Sequence, residues 1–246
     1  MKNFKLVIQY DGARYKGWQR LGNQSNTIQG KIEQVLTKLE GHDSEIIGSS
    51  RTDAGVHAYG QVANVKLRNA ISAEELQSYL NTYLPQDISV VEVEEVNDRF
   101  HARYNANDKT YLYQIWNKSY HNPFIRKFSM HVTEPLNVAK MKEASKYFIG
   151  KHDFTAFSNA KSKKKSAERT IRTIEMKEVD GFITIRVVGD GFLYHMVRKM
   201  VGTLIEVGLG EKKPADIADI LRSKDRSRAG FAEAQGLHLE KIDFQQ

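Results

Sequence analysis

The sequence predicts an α+β fold of two ferredoxin-like halves, each a split βαβ unit, related by pseudo-two-fold symmetry. Three observations carry this. At 246 residues the chain has room for between one and two domains of ~150 residues each. Its periodic segments run β-α-β-β-α-β and then β-α-β-β-α-α-β, a similar order twice over with no obvious sequence repeat. Asp180-Gly181, between two strand-like runs, is the strongest short-range hairpin signal in the chain. The halves are expected at 1–104 and 105–246, joined near Arg99 to Asp108, with a ligand cleft between them.

Each element has a local reason. Phe4 to Tyr10 alternates as a strand and ends at the turn pair Asp11-Gly12. From Thr27 to Glu40, Ile28, Ile32, Val35, Leu36 and Leu39 fall on one face at helical spacing. Short strands are expected at Glu45 to Ser49 and Gln61 to Leu67, with a polar, glycine-containing loop between them. Ser72 with Glu75 forms a capping box for a second helix, whose apolar face carries Leu76, Tyr79, Leu80, Tyr83 and Leu84 before Pro85 ends it. Ile88 to Val96 is rich in β-formers. The second half opens on a strand from Lys109 to Asn117, followed by a helix that Asn137 caps and Gly150 stops. Thr170 to Val179 and Phe182 to Val188 form the hairpin. Helices follow from Phe192 to Val207 and Pro214 to Arg222, and Leu237 to Asp243 makes a last strand.

Composition narrows the function. There are no cysteines, so disulfides, thiolate metal sites and cysteine nucleophiles are excluded. Mean hydropathy is −0.54, and no apolar run approaches the ~20 residues of a membrane span. The start MKNFKLVIQY alternates like a strand, so no signal peptide is expected and the location expected is cytoplasmic. The formal charge is +7 with an isoelectric point near 9.3, which favours a polyanionic partner.

The most unusual segment is Gly48-Ser-Ser-Arg-Thr-Asp-Ala-Gly-Val-His-Ala58. Asp53 in it admits two readings. It can cap backbone N–H groups in an Asx turn, or it can be a carboxylate held ionised by the nearby Arg51 and competent as nucleophile or base. His57, His101 and His195 lack the spacing of a metal site, and no P-loop or dinucleotide fingerprint is present. Tyr111 and Tyr113 share one strand face with Ile115; core packing is expected for at least one, and stacking on a base is the alternative. Arg198 falls on the border of the apolar stripe of its helix, where it is either solvated or turned into a cleft. Arg14, Lys16 and Arg20 interleave with aromatics as an RNA contact would. Lys161, Lys163, Lys164 and Lys165 form either a solvated loop or a basic flap over a phosphate backbone.

Arg51-Thr-Asp-Ala-Gly-Val-His57 closely resembles the active-site motif of the tRNA pseudouridine synthase A family. The resemblance extends from Phe4 to about Asp243 through Tyr10-Asp-Gly12, Gly17-Trp-Gln-Arg20, Phe100-His-Ala-Arg103, Tyr111, His195-Met-Val-Arg198 and Val201-Gly202. It implies Asp53 as the catalytic nucleophile, with Arg51 and Arg198 beside it and Tyr111 packed on the target uracil. It also implies an extended, mainly antiparallel sheet with a central basic cleft, a homodimer, and isomerisation of uridine in the anticodon stem-loop of tRNA. No metal or other cofactor and no membrane are implied. The family most often has Gly before the motif arginine, where this chain has Ser50. The competing expectations are a non-catalytic RNA-binding protein of two RRM-like halves, and the same chemistry on a different RNA.

Overall fold

The computed structural model describes residues 1–20, 22, 26–160 and 166–244. They divide into two compact units, Met1–Asn107 with the segment from His238 onward, and Asp108–Leu237. The class is α+β with mostly antiparallel strands, as the sequence predicts.

In the first unit the strands are β1 (Lys2–Tyr10), β2 (Ile46–Gly48), β3 (His57–Leu67) and β4 (Ile88–Val96). β1 lies antiparallel between β4 and β3, and β2 pairs antiparallel with the later part of β3 at Ile46–Val65. This is the split βαβ arrangement, in which β3 inserts between two strands joined by a helix. That helix, α1 (Ile28–Glu40), is capped by the Thr27 hydroxyl accepting from the Gly30 N–H at 3.1 Å, and ends on Gly41 at φ +74°. A glycine suits that left-handed position because it has no Cβ to clash. α2 (Ala73–Tyr83) begins with the predicted Ser72–Glu75 capping box and packs on β4. Phe4, Leu6, Ile8 and Tyr10 alternate into the core from β1, joined by Ile28, Ile32 and Leu36 from α1.

The second unit has β5 (Ala106–Asn117), β6 (Met130–Val132), β7 (Gly150–Asp153), β8 (Glu168–Val179) and β9 (Phe182–Gly189). Its strand order is β5-β9-β8-β7, all antiparallel, with β6 parallel to the end of β5. The hairpin between β8 and β9 turns through Asp180 at φ +50° and Gly181 at φ +76°, both left-handed as a type I′ turn requires. Helix α3 (Val138–Ser145) packs against α4 (Met196–Gly208), which buries nearly every residue it has, and α5 (Asp216–Ser223) follows.

Several boundaries differ from those read in the sequence. The helix expected from Asn137 to Ile149 is regular only to Ser145 and tightens into a 3₁₀ turn at Lys146–Phe148. Gly150 is no helix stop: at φ +104° it turns the chain into β7, opposite Ile171 of β8. The helix expected from Phe192 starts at Met196, because His195 sits in the left-handed region at φ +66° and breaks helical continuity. β3 begins at His57, which shortens the preceding loop. The last strand, β10 (Leu237–Phe244), runs parallel to β3, with His238 opposite His57, instead of simply closing the second half. Gly60 permits this approach, since a Cβ there would meet the Glu240 carbonyl oxygen at 2.6 Å.

Candidate active site

The loop between β2 and β3 is held by its backbone. The Ser49 N–H donates to Val62 O at 2.8 Å, and the Gln61 side chain clamps Ser50 from both sides. Its Oε1 accepts from the Ser50 N–H at 3.2 Å and its Nε2 donates to Ser50 O at 2.7 Å. Further on, the Thr52 carbonyl accepts from the Trp18 N–H at 3.1 Å, and the Thr52 hydroxyl meets the Tyr10 hydroxyl at 2.7 Å. A tight turn closes from Asp53 O to the Val56 N–H at 3.2 Å, with Gly55 at φ +78° supplying the left-handed residue. Ser50 and Thr52 are buried, whereas Arg51 between them is exposed and Asp53 is half-buried.

The segment that cradles this loop is the one running from Asp11 to Trp18. Gly12 lies so close that a Cβ would stand 1.9 Å from Val56 O, and a Cβ on Gly17, at φ +92°, would stand 2.5 Å from Thr52 O. The Trp18 ring covers Gly48 and packs 6.1 Å from Tyr10. The two motifs Tyr10-Asp-Gly12 and Gly17-Trp-Gln-Arg20 are therefore the floor of the Arg51–Asp53 loop. The sequence marks these glycines only as turn residues, and nothing local in it says which backbone they must clear.

His57 fixes where the loop enters β3. Its Nδ1 accepts from the Gly12 N–H at 3.1 Å, so that nitrogen carries no proton for the Asp11 carboxylate 3.2 Å away. The ring is buried and stacks on His238, which in turn stacks on Tyr59. Ser50 is not among the left-handed residues, so its side chain costs the loop no backbone strain.

The second unit carries Tyr111 and Arg198. Tyr111, on β5, is buried with its ring edge-on to Phe192 at 5.0 Å. Tyr113, two residues on, is the more deeply buried of the pair, and its hydroxyl donates to Glu233 O at 2.7 Å. Burial pushes the Tyr113 hydroxyl pKa well up. Arg198, on α4, is half-buried, as its border position predicts. Its Nε donates to Ala232 O at 2.9 Å, and its guanidinium carbon lies 4.1 Å over the Phe231 ring. His195 shares that ring, at 4.9 Å, and its Nδ1 lies 2.9 Å from Asn159 Nδ2. Burial, with help from the charges of Arg198 and Lys199, pushes His195 down to about 4. It is neutral at pH 7, and so the Asn159 amide donates to it.

The basic residues of the early loop are partly spoken for. Arg14 is ion-paired with Asp87, which also accepts from the Tyr15 hydroxyl at 2.5 Å. Burial alone would raise the Asp87 pKa, but those two hydrogen bonds hold it below the usual carboxylate range. Arg20 pairs with the buried Glu33 at 2.9 Å. Lys16 is exposed and has no ion pair among the described residues. Lys161, Lys163, Lys164 and Lys165 lie outside the described residues.

A split βαβ unit that carries a carboxylate and a guanidinium on a backbone-pinned loop, in a basic chain, has the groups that an enzyme acting on a polyanion by acid–base or covalent chemistry uses. The comparisons make this specific. The family model described as tRNA pseudouridine synthase matches residues 6–105 and 144–245. The chain is 66% identical over 244 residues to "tRNA pseudouridine synthase A" of Bacillus sp. (strain KSM-64), covering 99% of this chain and 100% of that one. It is 60% identical over 245 residues to "tRNA pseudouridine synthase A 2" of Bacillus cereus (strain ATCC 10987 / NRS 248), with 99% and 100% covered. With "tRNA pseudouridine synthase A" of Thermoanaerobacter sp. (strain X514) it shares 46% over 245 residues at the same coverage. The chain belongs to the tRNA pseudouridine synthase family, isomerases that convert uridine to pseudouridine.

Proposed function

We propose that the substrate is a uridine in the anticodon stem-loop of tRNA and that Asp53 starts the reaction. In the isomerisation the C1′–N1 bond breaks, the uracil turns, and C1′ rejoins through C5; the C5 hydrogen leaves to water and N1 regains one, so no atoms or electrons are lost. The target nucleotide must first leave its stack. Arg51 holds the flipped conformation, Arg198 keeps Asp53 ionised, and Tyr111 stacks on the uracil and takes the C5 proton. The chain needs no metal or other cofactor for this. Lys16 and the lysines at 161 and 163–165 bind phosphates, with Arg14 and Arg20 contributing through whatever surface their carboxylate partners leave. The working form is a homodimer in the cytoplasm; among the described residues no helix is long and apolar enough to cross a membrane.

The observation that carries this reading is the loop itself. Its backbone is pinned by Gln61, Trp18 and Gly12, while Arg51 and Asp53 stand out from the buried residues on either side. Fixing a backbone so firmly around one exposed and one half-buried charged residue serves positioning better than packing. The test is tritium release from tRNA labelled at C5 of uridine. The parent protein should release label and Asp53→Asn none, since a carboxamide is neither nucleophile nor base. Equal release from both removes Asp53 from the chemistry; RNA binding without release from either favours a binding module.

A further inference from the structure

The far end of the first unit holds a pocket remote from the Asp53 loop. The Asn3 side chain donates to Asn97 O at 2.9 Å and to Phe100 O at 3.0 Å, which fixes the segment leaving β4 at the Lys2–Asn3 end of β1. The Asp53 loop sits at the other end, against Tyr10. At ~3.3 Å per residue the two are roughly 23 Å apart along β1. The pocket, about 410 Å³, is lined by Arg99, Phe100, Tyr104, Phe244 and asparagine side chains, and none of the described residues lining it is a carboxylate. Its size falls within the range of small-ligand sites.

Three features give this pocket a chemistry. The first is aromatic: Phe100 and Phe244 pack at 5.3 Å, and Tyr104 is 79% exposed. Tyr104 is not loose. Its ring lies 4.2 Å from that of His101, whose Nδ1 accepts from the N–H groups of Arg103 and Tyr104 and whose backbone N–H donates to Asn105 Oδ1 at 2.7 Å. The turn from His101 to Asn105 thus holds a large aromatic face in water. The second feature is charge. Neighbouring lysines are neutralised, Lys2 by Glu95, Lys5 by Glu94 and Lys66 by Asp98. Arg99 and Arg103 are exposed and have no ion pair among the described residues. The third is polar: with Asn105 Oδ1 engaged by His101, its two amide hydrogens are left to a ligand.

An oriented, solvent-facing ring, two unneutralised guanidiniums and amide donors are the elements that hold single-stranded nucleic acid by stacking and phosphate contact. We propose that this pocket binds an unpaired nucleotide of the same RNA, away from the reacting uridine, with its base on Tyr104 and flanking phosphates on Arg99 and Arg103. The proposal rests on the reading of the chain as an enzyme acting on tRNA. It extends the grip on the substrate beyond the loop that reacts, and it adds affinity without touching the chemistry.

The test uses the full chain, an unmodified full-length tRNA transcript and an isolated anticodon stem-loop of the same sequence. Tyr104→Ala should weaken binding of the full-length tRNA by about tenfold, the scale of removing one stacked base, while Tyr104→Phe retains it. Arg99→Gln with Arg103→Gln should lower the salt slope by about 0.7–0.9 for each phosphate the protein no longer neutralises. Tritium release at saturating tRNA should be unchanged in all of them, as should affinity for the isolated stem-loop. Parent-like affinity and salt slope for full-length tRNA in the variants would overturn the proposal, and so would equal weakening on both RNAs, which would place these residues at the reacting loop. A parent protein that neither binds tRNA nor releases tritium would instead bring down the underlying reading, and the proposal with it.

Discussion

Replacing Gly17 with alanine should damage catalysis as well as stability, and the geometry says by how much. Gly17 sits at φ +92°, and a Cβ there would lie 2.5 Å from Thr52 O, 3.0 Å from Asp53 C and 3.2 Å from Ala54 N. All three are backbone atoms and cannot swing aside, so restoring ordinary contact displaces the loop by about 0.9 Å. A left-handed alanine costs ~1–2 kcal/mol, and the displaced hydrogen bond from the Trp18 N–H adds ~1 kcal/mol. At ~2–4 °C per kcal/mol for a chain of this size, the melting temperature should fall by ~4–12 °C. The catalytic penalty should be of the same size, because moving a reacting group by ~1 Å can cost ~100-fold in rate, which is ~2.7 kcal/mol. Gly41→Ala is the control within the same unit. It has φ +74° but nothing within 4 Å of its Cβ, so it bears the backbone cost alone and should retain full turnover. Tritium release at saturating tRNA and melting curves on both variants provide the comparison. Turnover within twofold of the parent in Gly17→Ala would refute the claim that this glycine sets the position of Asp53.

Other perturbations separate the second unit's roles. Arg198→Met keeps the aliphatic stem but loses the bond to Ala232 O and the cation over Phe231; a fall of ~1–2 kcal/mol in stability should accompany a much larger fall in turnover, and turnover near the parent's would make the residue structural. His195 should titrate by NMR near pH 4 instead of 6.5. Because the unfolded chain takes up that proton near 6.5 and the folded one does not, its contribution to stability is complete above pH 6.5 and drains away as pH falls towards 4. His195→Asn keeps a residue that tolerates the left-handed backbone and should flatten that part of the denaturation profile; an unchanged slope would assign it to other groups. Replacing Lys161, Lys163, Lys164 and Lys165 with Gln should weaken tRNA binding and flatten its salt dependence, and an unchanged salt slope would assign the run to solubility.

What the sequence made legible was what neighbouring residues decide. The Ser72–Glu75 capping box, the Asn137 cap and the Asp180-Gly181 turn each act within a few residues, and each stands where its signal lies. β6 and β7, at three and four residues, are too short to show alternation and exist only because β5 and β8 are there to pair with them. The start of α4 is hidden in the sequence because apolar spacing continues through Phe192 and Leu193, while the left-handed His195 breaks the backbone. At the candidate site, spacing picks out Arg51 and Asp53 and the family resemblance gives them roles. Neither shows that Gln61 clamps the loop, that Gly12 and Gly17 lie beneath it, or that Asp87 and Glu33 engage Arg14 and Arg20. Those partners come together only when distant segments pack.

The parallel seat of β10 beside His57 has a consequence for how this protein is made. The first unit is discontinuous: the ribosome delivers its early strands, then all of residues 108–237, and only then the strand that covers the start of β3. Synthesis at ~5–20 residues per second leaves that stretch of β3, and the loop exit it anchors, bare for several seconds on the nascent chain. During that interval an uncovered strand edge invites pairing with another chain. A fragment ending at residue 107 would keep that vulnerability permanently. The two units are therefore not independently inheritable modules, since one of them closes only with residues encoded after the other.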